Sequence, residues 1–222
     1  MTKREQKALA FLKERFGRGQ WFKDHPEDHT YRWEHSIRVA GICRDIALAE
    51  GMDSEAAWIA GLLHDVAYGE DFPEGYQWTD HGRDGARIAR PFLESLGLTR
   101  EVVDDICFAI AIHVDDEAGF EGRRTPFTET VGDADNIDRF DAYRIYETVR
   151  YQARPEEHTL SEKLEWLRQR LSRLEQLAAI DFATPTATAL WRDKVEFQRQ
   201  FFSRLLAQME GSVLPEEGEE DT

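Results

Sequence analysis

The chain has 222 residues, 41% of them apolar, enough for one large domain with a real core. Its formal net charge of −16 argues against unspecific binding to a nucleic-acid polymer, whose affinity comes largely from neutralising phosphates with Lys and Arg. The start at Met1 is polar, with no secretory signal, and no apolar run reaches the roughly 18–20 residues that span a bilayer, so a soluble, cytoplasmic protein without membrane partners is expected.

The elements follow in order. Thr2 to Phe16 reads as an amphipathic helix with Leu9, Leu12 and Phe16 on one side and Gly17 to end it. Residues 17–30 carry Gly, Pro, His25 and His29 and read as a loop. From Tyr31 a second helix runs to Gly51, with His35 in its first turns. Asp53 caps a third, an apolar run that ends on His64-Asp65. Residues 68–80 are turn-rich and aromatic, an excursion over the surface. A fourth helix starts at Asp80-His81-Gly82 and reaches Leu96, with Pro91 predicting a kink or break near Arg90. Thr99 caps a fifth through His113, and a loop spans 115–127. Thr128 to about Tyr151 is helical and contains Asp133 and Asp135.

Beyond Pro155 the character changes. Thr159-Leu-Ser-Glu162 is a capping box, and Leu160, Leu164, Leu167, Leu171 and Leu174 follow at coiled-coil spacing. A last helix spans Thr188 to Met209, with Trp191, Val195, Phe202 and Leu205 on one face. The expected fold class is all-α. Residues 1–155 form a helical core, 156–210 a C-terminal helical hairpin that is a candidate homodimer element, and 211–222 a disordered acidic tail. Cys43 and Cys107 lie in apolar helical stretches without a Cys-x-x-Cys pair and read as buried thiols.

The chemistry centres on His64-Asp65, two residues costly to leave at the end of an apolar helix unless paired or coordinated. His35, His81, His113 and Asp135 join them at about one per helix, the way bundle-core metal sites are assembled. Mixed His and Asp donors suit Mn, Fe, Mg, Co, Ni or Zn. Asp133 and Asp135 diverge by about 200° around their helix, so one of the two faces the site; the apolar neighbours of Asp135 select it, and Asp133 is expected as a cap or a supporting group.

Glu34-His35-Ser-Ile-Arg-Val-Ala, Gly61-Leu-Leu-His-Asp-Val66 and Asp133-Ala-Asp-Asn-Ile-Asp138 together resemble the HD-domain superfamily of metal-dependent phosphohydrolases over about residues 31–150. The resemblance implies a divalent metal held by His35, His64, Asp65 and Asp135. By analogy with two-metal members, Asp65 would bridge to a second ion on His81 and His113. It also implies a catalytic role for Asp65 and a metal-activated hydroxide that attacks phosphorus. The substrate so implied is a small phosphate ester, a nucleotide foremost. Many relatives carry a basic residue three positions after the Asp of the pair, where this chain has Tyr68. Arg38 and Arg139, each sharing a helix face with a ligand, are the expected substitutes for binding phosphate. Two other readings stand beside this one: a regulatory module that binds metal or ligand without turnover, and a di-iron oxygenase. The aromatic loop 68–78 reads as packed by its own rings, with a lid over a base as the alternative.

Overall fold

The computed structural model of the chain describes residues 1–115, 119, 121–152 and 159–212. Among these residues there are helices and turns but no strand, and the last helices form a C-terminal hairpin. Two compact units divide the chain: residues 1–138 with 181–189, and residues 139–180 with 190–222. The expected boundary at 155/156 lies outside the described residues, as does the acidic tail from residue 213 onward.

The first unit is built on α1 (Lys3–Phe16), α2 (Gln20–Asp24), α3 (Pro26–Ala49), α4 (Ser54–Leu63), α5 (His81–Ser95), α6 (Arg100–Ile112) and α7 (Pro126–Phe140). Side-chain caps start three of them: Thr2 with Glu5 in a reciprocal box, Asp53 on the amides of Glu55 and Ala56, and Thr99 on Val102. The short α4 is apolar all round because every residue from Ala56 to Leu63 is buried, packed against α1, α3 and α6.

Three local expectations change. Part of 17–30 is helical, because Pro26 at N1 followed by Glu27 and Asp28 is a favoured helix start. Helix α5 runs unbroken past Pro91, held to its partners on both sides of that residue by buried Ala86, Ala89 and Leu93. The helix expected from Thr128 to Tyr151 is interrupted at Asp141, after which α8 (Ala142–Gln152) begins.

In the second unit, α9 (Leu160–Ala178) opens on the Thr159–Glu162 capping box and buries Leu164, Leu167, Leu174 and Leu177. From the last helix, α10 (Pro185–Glu210), Trp191 donates its indole N–H to the Leu177 carbonyl at 2.8 Å, and Phe202 meets Trp166 edge-on at 5.7 Å. Gln198, fully buried, accepts from Arg170 and donates to the Phe140 carbonyl, each at 2.6 Å. Cys43 and Cys107 are buried free thiols. No described helix is long and apolar enough to cross a membrane.

Candidate metal centre

Close helix crossings bring the ligand-type side chains together. A Cβ on Gly61 of α4 would meet Cys43 Sγ at 2.7 Å and the Ala40 Cα of α3 at 3.0 Å, so only glycine lets those helices touch there. That crossing sets His64 beside His35. A Cβ on Gly82 of α5 would lie 2.8 Å from the Ala111 carbonyl oxygen of α6. This second crossing sets His81 beside His113. Asp135 reaches the same place from α7, and the imidazoles and carboxylates of His35, His64, Asp65, His81, His113 and Asp135 form one buried cluster.

The carboxylate of Asp65 lies between two histidine pairs. Its Oδ2 is 3.4 Å from His64 Nε2 and 3.9 Å from His35 Nε2, whereas its Oδ1 is 3.4 Å from His81 Nε2 and 3.8 Å from His113 Nε2. Asp135 Oδ1 adds to the first pair at 3.0 Å from His35 Nε2. The triads His35–His64–Asp135 and His64–Asp65–His113 each gather their donor atoms within 4.8 Å.

A single local device aims three of the four imidazoles. His64 donates its Nδ1–H to the Gly61 carbonyl at 2.7 Å, His113 to that of Ile110 at 2.6 Å, and His81 to that of Trp78. Each acceptor lies three residues upstream. For His64 and His113 it is a last-turn carbonyl that the helix itself leaves without a partner. A carbonyl can only accept, so each Nδ1 carries the proton and each neutral ring turns a bare Nε2 lone pair inward. His35 lies inside α3, where the carbonyls are already used, and its Nδ1 donates instead to Asp138 Oδ2 at 2.7 Å.

This donor set fits a cation. His81 Nε2 and His113 Nε2 face each other at 3.2 Å, and His64 Nε2 and His35 Nε2 at 3.3 Å. Two lone pairs at that distance repel unless a proton or a metal ion lies between them. Histidines that donate their second nitrogen to a carbonyl or carboxylate are the usual form of metal ligands.

The charges agree. Burial opposes a charge on His35, but Asp135 and Asp138 more than offset it and raise its pKa to about 9. Burial, helped by the neighbouring His113 and His35, pushes fully enclosed His64 down to about 4. Burial likewise disfavours the cation of His113, yet the nearby Asp65 carboxylate outweighs it and the pKa rises. For Asp65, burial favours the acid form, but His64, Arg32 and the neighbouring histidines hold the carboxyl well below its ordinary range.

Two residues that the sequence reading passed over complete the site. Arg32, one turn before His35 on α3, donates Nη1–H to Asp65 Oδ2 at 2.5 Å and lays its guanidinium 3.8 Å from the centre of the Tyr68 ring. Asp138, one turn after Asp135, takes the His35 proton and also a fork from Arg38, with Nε at 2.6 Å and Nη2 at 3.1 Å. Each lies three positions from one of the clustered side chains on the same helix face. Arg38, expected on a phosphate, thus engages Asp138. Arg139 is exposed and belongs to the second unit. Asp133 accepts the Ala183 amide at 3.0 Å, a tie to the 181–189 segment. His25 stacks on Trp21, and His29 packs against Phe16 and Phe22. The loop after Tyr68 is packed by its own rings, with Phe72 on Tyr76 at 4.0 Å and Tyr68 on Trp78 at 5.8 Å.

Known proteins place this arrangement. A predicted HD superfamily hydrolase from an uncultured Thermotogales bacterium shares the fold with a TM-score of 0.63 and 25% identity over 91% of both chains. The HD domain of the Listeria monocytogenes phosphodiesterase PgpH is more distant, with a TM-score of 0.39, 13% identity and coverage of 87% of this chain and 98% of that one. Ribonuclease Y of Oleidesulfovibrio alaskensis is 38% identical over 84 residues, which span 37% of this chain and only 14% of that protein. The HD domain family matches residues 32–143, from Arg32 through Asp138 and on to the start of α8. By that match over half its length, and by the cluster the match encloses, the chain belongs to the HD domain family.

Proposed function

We propose that this protein is a divalent-metal-dependent phosphohydrolase that acts on a small phosphate ester, a nucleotide among them. The observation that carries the reading is the Asp65 carboxylate between two histidine pairs, each ring turning Nε2 inward. His35, His64, Asp65 and Asp135 would hold one ion, and His81 and His113, with Asp65, a second. An ion bound there would supply Lewis acidity to a phosphoryl oxygen and lower the pKa of a water towards neutrality.

The chain's own groups do the rest. The carbonyls of Gly61, Trp78 and Ile110 fix three tautomers and ring orientations before any ligand arrives. Asp138 does the same for His35 and is itself held by Arg38. Arg32 orients Asp65 and brings positive charge to the edge of the cluster, a role that a basic residue at position 68 would otherwise fill. Burial of all six donors keeps bulk water from screening these charges.

The test is release of inorganic phosphate from a panel of phosphate esters, with and without a chelator. Turnover that needs divalent metal and is lost in Asp65→Ala supports the reading. Metal-loaded protein that releases no phosphate from any ester would overturn it in favour of a module without turnover.

A further inference from the structure

Next to the metal centre lies a cavity of about 850 Å³, within the range of ligand pockets. Three residues belong to both. Tyr31 stacks parallel on His35 at 5.7 Å, Arg32 binds Asp65, and Tyr68 lies 5.0 Å from the His81 ring. From this shared partition the cavity extends over an aromatic wall that includes Trp21, Phe72, Tyr76 and Trp78. Trp21 and Trp78 are 55% and 62% exposed, which is unusual for such large rings in a folded chain.

Arg32 is the one basic residue lining this space, and it is mostly buried. Among the described residues its guanidinium makes a single hydrogen bond, through Nη1 to Asp65, while Tyr68 supports its face. A planar fork has five N–H donors, so most of its capacity remains for a ligand. Four carboxylates also line the cavity, and each is already engaged within the protein. Asp71 accepts the amides of Gln20 and Trp21, Asp28 the Trp21 indole, Asp24 the Gln20 amide group, and Glu70 pairs with Arg15. These bonds tie Asp24, Glu70 and Asp71 to α1, α2 and the loop, and Asp28, one turn before Arg32 on α3, to the Trp21 indole. Their remaining lone pairs suit amino or hydroxyl donors and repel a second anion.

We propose that this cavity is the binding site for the organic part of the substrate, which is a phosphate ester carrying a planar aromatic group, with its phosphate on Arg32 and its ring against the Phe72–Trp78 wall. The assignment rests on the phosphohydrolase reading for its reaction, but its ligand chemistry is testable without turnover. Arg32 then serves as the anion contact that the family resemblance would have placed at position 68.

The experiment uses the full chain with metal chelated, so that nothing is hydrolysed. Quenching of tryptophan fluorescence is titrated with adenosine and cytidine 5′-monophosphate, with ribose 5-phosphate competing. At least one nucleotide should bind about tenfold more tightly than ribose 5-phosphate, what stacking one base on an aromatic side chain is generally worth. Trp78→Ala should bring that nucleotide down to the level of the ribose phosphate. Arg32→Gln should bring it down to the level of the unphosphorylated nucleoside, and Arg32→Lys should restore part of the difference. Equal binding of nucleotides and ribose 5-phosphate, full nucleotide binding by Arg32→Gln, or tighter binding of an RNA oligomer than of either nucleotide would overturn the assignment. The phosphate-release screen fails or succeeds separately, so loss of the hydrolase reading and loss of the cavity assignment are told apart.

Discussion

Asp138→Asn tests how far the metal centre depends on a residue that does not reach its middle. The native carboxylate, 6% exposed, takes three hydrogen bonds: one from His35 Nδ1 at 2.7 Å and two from Arg38 at 2.6 and 3.1 Å. Asparagine keeps the shape and one acceptor oxygen, but it loses the negative charge and sets an amide N–H₂ against donors. His35 then loses the anion behind its ring, and its Nε2 becomes a poorer donor to a cation. Supporting groups of this kind are generally worth about 10–100-fold in metal affinity, or roughly 1.4–2.7 kcal/mol. Arg38 is a third exposed and can turn to water, so Arg38→Ala should cost no more than about 1 kcal/mol. The assay is competition for Mn²⁺ or Zn²⁺ against a coloured chelator, with circular dichroism to confirm the fold. In the double variant the two losses should not add, because both act through one carboxylate. Unchanged metal affinity in a folded Asp138→Asn protein would show that the carboxylate behind His35 does not support a metal-binding ring.

Three further outcomes follow from the same geometry. With its pKa raised to about 9, His35 is protonated at neutral pH before metal arrives, so metal binding releases a proton and affinity should climb with pH until about 9; chelator competition along a pH series reads this, and a flat profile contradicts it. In the metal-free protein the same group stabilises the fold fully below its unfolded value of 6.5, and that stability is lost as pH rises through about 9, by an amount on the order of 3 kcal/mol in urea unfolding; His64, held at about 4, acts the other way and removes stability as pH falls below 6.5. Gly61→Ala should cost about 1–3 kcal/mol in denaturant unfolding, and Cys43→Ala should relieve only part of it, because the Ala40 Cα and the Val39 carbonyl remain at 3.0 and 3.1 Å from the new methyl.

The clustered side chains were legible in the sequence because each breaks a local rule. His64-Asp65 ends an apolar helix, His113 follows an apolar run, and Asp135 shares its turn with buried Ile137. Such residues stand out against the pattern around them. Arg32 and Asp138 break no rule, since polar residues on helices that are partly exposed are ordinary. What distinguishes them is a partner 33 or 103 positions away, which no local period reports. A basic residue for phosphate was expected on Arg38 and Arg139 in place of Tyr68, whereas the guanidinium that touches Asp65 is that of Arg32, on α3 like Arg38 but one turn before His35 instead of one turn after it. The start of α3 is hidden because Gly, Pro and His read as loop formers, when Pro at N1 with acids behind it is also a helix start.

Whether the six clustered side chains hold divalent metal is read from the metal content of the purified protein. Elemental analysis after reconstitution and desalting should find about two equivalents in the wild type, about one in His81→Ala, and none in the His64→Ala/Asp65→Ala double variant. Full retention of metal by the folded double variant would mean that the metal is held elsewhere in the chain.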